Sequence, residues 1–187
     1  MLNYFGYGSN LNLTSLKAKG VLPKRSYVGQ LPNFRLKFNV QHWFRHEGGM
    51  GNIEPSDDPN DVVEGMLHEC TEEDLEALDR MEAYGVGYDR VRIKVDTHEG
   101  LKEALTYTGL PEIINEDCLP TRRYLNIILK GAREAGLSNN YIQKLEKHPL
   151  FYPKSRGSFR HIEDKPIFNA SSLSSKPYLT GLAGAVF

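Results

Sequence analysis

Cysteine is scarce in this chain. Cys70 and Cys118 are the only two among 187 residues. They lack metal-ligand spacing and cannot build a disulfide framework, so reduced thiols buried in a cytoplasmic protein are the expectation. Net charge is almost absent as well, at −1, and this gives no global field for nucleic acid or an anionic membrane. No run of about 18 apolar residues exists to span a bilayer. The start of the chain reads directly as a strand, without the basic segment and apolar core of a signal peptide. Histidines are present but scattered, at 42, 46, 68, 98, 148 and 161. None forms a pair at helical spacing, which argues against a zinc site. What remains is an ordinary globular composition, with 40% hydrophobic and 25% charged residues.

Within that composition the stretch Tyr4-Phe5-Gly6-Tyr7-Gly8-Ser9-Asn10-Leu11 stands out. It begins as an aromatic strand, breaks into turn and cap residues, and continues at helical spacing through Leu11, Leu13 and Leu16. A strand that ends in Gly-Ser-Asn and opens a helix can turn backbone N–H groups toward a small anionic ligand. Asn10 or Ser9 would then cap the helix or hold a polar substrate group. The plain alternative is a strand–turn–helix corner with an ordinary N-cap.

The periodicity predicts strands over 2–7, 34–40, 62–68, 88–97 and 102–108, a shorter alternating piece over 27–31, and helices over 10–19, from an N-cap at Thr71 through Met81, from Pro120 to Gly136, and over 138–147. In the second strand Phe34, Leu36, Phe38 and Val40 share one face, with Arg35, Lys37 and Asn39 on the other. Three glycines at 48, 49 and 51 signal a loop or a close backbone approach. Gly85 and Gly87 are read as the stop of the second helix. Strands consecutive in the middle with helices at the ends give an α+β fold: a mainly antiparallel mixed sheet curled into a small barrel and flanked by helices. Residues 1–150 are read as one domain. From 151 to 187 periodicity is lost, as in an extension or arm, and its last residues, Leu179 to Phe187, are apolar and glycine-rich.

One acid sits on the wrong face of its helix. Leu75 and Leu78 define the apolar stripe, and Glu82 follows them by seven and four residues, so it falls on the same stripe. A carboxylate facing a core costs several kcal/mol of desolvation unless it is partnered. An acid so placed, beside a glycine-rich loop that can open to a cleft, suits proton transfer. The alternative is an acid that reaches out to solvent or pairs with Arg80 or Arg90. No Gly-x-Ser-x-Gly elbow accompanies Ser9, so a serine nucleophile has no support.

Taken together, Tyr4–Leu11, Gly48-Gly49, Val63-x-Gly65, Leu78-Asp79-x-x-Glu82 and Tyr88 resemble the γ-glutamylcyclotransferases over residues 2–147. Pro120-x-x-x-Tyr124, Gly131-Ala132, Gly136-Leu137 and Tyr141 are similar to that family's longer branch. The resemblance implies that Glu82 is the general acid/base. It places Tyr7, Gly8, Ser9 and Asn10, with Leu11 beside them, in the loop that holds the γ-glutamyl group, and sets Tyr88 and Tyr124 on the pocket wall. It implies release of 5-oxoproline from γ-glutamyl amino acids, with no cofactor and no metal. The partner would be a small-molecule substrate rather than nucleic acid or membrane, and a homodimer is open. A γ-glutamylamine or glutathione cyclotransferase, or a non-catalytic binding module on the same fold, are the other readings. Ala83 stands where the family often has glycine.

Overall fold

The computed structural model describes residues 1–152, 181–182 and 185–186. Residues 1–152 fall in one compact unit. Its sheet comprises β1 (Leu2–Gly6), β2 (Arg25–Pro32), β5 (Val62–Cys70), β6 (Tyr88–Thr97) and β7 (Gly100–Gly109), closed into a barrel in the order β1-β5-β2-β6-β7. Every neighbour is antiparallel except β1 and β7, which run parallel and close the barrel. The expected α+β barrel is therefore present. A separate hairpin, β3 (Phe34–Gln41) with β4 (Gly49–Pro55), and four helices accompany it: α1 (Leu13–Ala18), α2 (Glu72–Met81), α3 (Arg122–Ala135) and α4 (Asn139–Glu146). Two two-residue strands, β8 (Gly181–Leu182) and β9 (Ala185–Val186), pair with each other in a second unit. The rest of the predicted extension lies outside the described residues.

Strand β5 shows how the chain organises its two apolar layers. Val63 and Leu67 point into the barrel, where they pack with Phe5, Leu31, Ile93 and Val95. Met66, on the opposite face, packs with Leu125, Ile128, Leu129 and Tyr141 of α3 and α4. Both faces are covered, so the strand is buried along most of its length, including two polar residues, Glu64 and His68. Gly65 is required where the strands close in, since a Cβ there would lie 2.5 Å from the Phe5 ring.

Three local readings change. The stretch expected as one helix over 10–19 is a 3-10 turn, Ser9–Leu11, followed by α1, and its N-cap is Asn12, which accepts from the Ser15 amide at 3.0 Å. Capping therefore falls to neither Asn10 nor Ser9. Asn39, placed on the solvent face by strict alternation, is buried and bonds Glu54, Glu116 and Asn52. It keeps the face of Lys37, with which it shares Glu54 and Glu116, and that face is covered at this point. Finally, α2 is stopped before its glycines. Ala83 takes φ 49°, and the Tyr84 amide returns to the Asp79 carbonyl at 2.9 Å, which is a left-handed C-terminal motif.

Candidate active site

Glu82 is the residue that follows the last turn of α2, not a member of its buried stripe. The left-handed turn at Ala83 directs it toward a hollow of about 220 Å³ whose walls include Ser9, Lys19, Glu82, Tyr88 and Tyr124. Its carboxylate is 17% exposed and is partnered by neither Arg80 nor Arg90. Lys19 takes that place, with Nζ 3.3 Å from Oε1. The Asn10 side-chain amide donates to the same oxygen at 3.0 Å.

Asn10 lies at the centre of the arrangement. Its Nδ2 also donates to the Tyr4 hydroxyl at 2.6 Å, and its Oδ1 accepts from Lys19 at 2.6 Å. Its carbonyl faces His68 Nε2 at 3.1 Å, and His68 Nδ1 faces the Ser26 hydroxyl at 2.8 Å. A carbonyl can only accept, so the network assigns the proton to Nε2, and Ser26 donates to Nδ1. Burial holds the His68 pKa down at about 4, and the imidazole is therefore neutral. In sequence terms, strand β5 supplies His68, His68 fixes the turn after β1, and that turn holds the carboxylate at the end of α2.

The opposite wall is built on the backbone of one residue, Gly51. Tyr88 Oη donates to the Gly51 carbonyl at 2.9 Å, and the Gly51 amide donates to Tyr124 Oη at 3.1 Å. A Cβ on Gly51 would come within 3.2 Å of the Tyr124 hydroxyl, which explains the glycine run as a close approach rather than a loop. Burial raises both phenols, Tyr124 to about 12 and Tyr88 well above its ordinary value. Both are neutral hydroxyls at neutral pH.

Ser9, Glu82, Tyr88 and Tyr124 are thus brought together. Tyr7, Gly8, Asn10 and Leu11 are not on the hollow's wall. The Tyr7 hydroxyl donates to the Tyr107 carbonyl at 2.6 Å, and Leu11 is packed in the core against α3. Gly8 backs the wall, where a Cβ would sit 3.1 Å from the Tyr124 hydroxyl. The amides of Leu11 and Asn12 are spent on the carbonyls of Gly8 and Ser9, which limits any amide cradle to the residues before them. Lys19, Trp43, Met50 and Met81 also line the hollow, and the sequence reading passed over all four. Lys19 is the C-cap of α1.

A family model described as "AIG2-like family" matches residues 62–145. The chain is 32% identical over 147 residues to the Mus musculus protein named gamma-glutamylcyclotransferase, covering 76% of each chain. It is 31% identical over 150 residues to the Homo sapiens protein of the same name, again over 76% of each. The chain belongs to the γ-glutamylcyclotransferase family. A solved structure titled gamma-glutamyl cyclotransferase superposes with a TM-score of 0.71 at 28% identity, over 84% of this chain and 94% of that one. The same family is therefore reached through the sequence and through the barrel that carries the hollow.

Proposed function

We propose that the protein is a γ-glutamylcyclotransferase that releases 5-oxoproline and a free amino acid from γ-glutamyl amino acids, with Glu82 as the general acid/base. The observation that carries the residue assignment is a carboxylate held by Asn10 and Lys19 at the wall of a hollow that the neutral phenols of Tyr88 and Tyr124 also line.

The substrate supplies its own nucleophile. Its α-amine attacks its γ-carbonyl, a bond forms between the α-nitrogen and the γ-carbon, and the bond to the leaving nitrogen breaks. The α-nitrogen starts as an ammonium and ends as the lactam N–H, so it loses two protons: one to solvent before attack, and one, after attack, that is passed to the departing nitrogen. A single carboxylate takes that second proton and delivers it in turn. Holding the glutamyl chain folded supplies the effective concentration, so no enzyme nucleophile is needed. The transient oxyanion requires a donor. Tyr124 accepts from Gly51 and keeps a proton of its own to give, while Tyr88 already donates to a carbonyl. Tyr124 is therefore the better-placed donor on this wall. The reading also carries a cytoplasmic, cofactor-free enzyme.

The test is 5-oxoproline release from γ-glutamyl-alanine, γ-glutamyl-lysine and glutathione, by the full chain and by Glu82→Gln. Turnover of the first by the parent protein and its loss in the variant supports the assignment. Release only from glutathione or only from the lysine substrate would move the protein to a sister activity. Release from none would leave the fold without this chemistry.

A further inference from the structure

If the γ-glutamyl group occupies the polar floor at Ser9, Lys19, Glu82 and the two phenols, the leaving group must project from the γ-carbonyl toward the mouth. There the chemistry of the wall changes. Val40, Trp43, Met50, Met81 and Ile113 line the same hollow. Beside it opens a second hollow of about 190 Å³, lined by Gln41, His42, Trp43, Glu112, Ile113 and Ile114. The two share Gln41, His42, Trp43 and Ile113. The chain has one tryptophan, and it stands 64% exposed at this junction.

We propose that the second hollow is the leaving-group subsite, that it selects γ-glutamyl amino acids whose departing residue has an apolar side chain, and that Trp43 sets the preference. This rests on the function proposed above. The size is adequate, since a dry cavity of about 150 Å³ is enough to hold benzene. Charge points the same way. The lining contains one acid, Glu112, and neither lysine nor arginine, so an acidic leaving side chain meets a like charge and no partner. His42 accepts the Phe44 amide at Nδ1, at 3.0 Å, which leaves its Nε2–H as a donor for the departing residue's own carboxylate.

The experiment measures kcat/KM of the full chain for γ-glutamyl-phenylalanine, γ-glutamyl-alanine and γ-glutamyl-aspartate through 5-oxoproline, in the parent protein and in Trp43→Ala and Trp43→Phe. The expected order is phenylalanine above alanine by about tenfold or more, with aspartate lowest. In Trp43→Ala the phenylalanine-to-alanine ratio falls by about tenfold, and Trp43→Phe restores most of it. A structural role for Trp43 would lower all three substrates in proportion, and that result overturns the proposal. So does a parent protein that treats phenylalanine and alanine alike or favours aspartate. Those outcomes, with 5-oxoproline still released, sink the subsite alone. No release from any substrate removes the proposed function and the subsite with it.

Discussion

Two acids of this molecule invite comparison. Glu64, on strand β5, is more deeply buried than Glu82. Its two oxygens accept from the Ser138 hydroxyl at 2.6 Å and the Ser138 amide at 2.8 Å, where the chain enters α4. Glu82 receives Asn10 and Lys19 on one oxygen and has the hollow beside it. Glu64 closes a helix end; Glu82 is held but not used up. On the function proposed above, burial alone would rank them in the wrong order. A carboxylate able to do chemistry is marked by acceptor capacity left open at a cavity, not by dryness.

The sharpest way to break that comparison is to exchange the fates of the two acids. Glu82→Gln is expected to lower kcat about 10²- to 10⁴-fold with an almost unchanged melting temperature. Glu64→Ala is expected to cost about 1–3 kcal/mol of stability, because it strands a buried amide and hydroxyl, and to retain turnover. Rates with γ-glutamyl-alanine and thermal melts on both variants decide it. A Glu64→Ala protein that melts normally but has lost turnover would overturn the distinction.

Lys19 sharpens it next. The ammonium faces Glu82 along with Asn10, and the phenols of Tyr4, Tyr7, Tyr88, Tyr107 and Tyr124 lie around the same carboxylate. Removing the only cation of this group in Lys19→Met should lower kcat/KM about tenfold or more, because the carboxylate loses the ammonium that holds it in place. Lys19→Arg should retain most of the activity. If Met keeps the parent rate, Lys19 merely fills space.

The next effect in size belongs to His68, which holds Asn10 from behind. Its pKa of about 4 in the fold lies below the ordinary 6.5, so between those values the unfolded chain binds a proton that the native state does not. The stabilisation is complete above pH 6.5 and is lost as pH falls toward 4. Unfolding free energy should be about 2 kcal/mol lower at pH 5 than at pH 7 from this group. His68→Gln, measured by urea denaturation at both values, should remove that part of the slope.

These residues also show what the sequence could disclose. Strands β6 and β7 and the helices α2, α3 and α4 were legible because period-two and period-3.6 patterns survive wherever one face is buried. Glu82 was legible as an acid at helical spacing from Leu75 and Leu78, yet the reason given for it was incomplete: the helix ends one residue earlier, and a turn rather than a stripe aims the side chain. Asn10 was singled out, but as a cap or a ligand for substrate; its actual partners are Tyr4, Lys19 and Glu82. Lys19 and His68 left no local signal, because their roles depend on contacts across 63 and 58 residues that only the folded chain creates. Asn39 was misread for a related reason, since its face is covered by Glu116, 77 residues along the chain.

The smallest effect concerns the turn that aims Glu82. Ala83 adopts φ 49°, in a region where a Cβ crowds the following carbonyl at about 1–2 kcal/mol. Glycine removes that strain but gives the unfolded chain more freedom, which takes back roughly 0.4–1 kcal/mol. Ala83→Gly should therefore stabilise by about 0.5–1 kcal/mol, a rise of roughly 1–4 °C in melting temperature for a domain of this size. The Ala83 methyl also lies on the wall of the hollow beside Glu82, so strain and site geometry are separable by measurement. A higher melting temperature with lower kcat would mean that the strained alanine holds the carboxylate more firmly than glycine can. A lower melting temperature would mean that the methyl's packing outweighs its backbone cost, and the turn would then owe its shape to the wall rather than to the end of the helix.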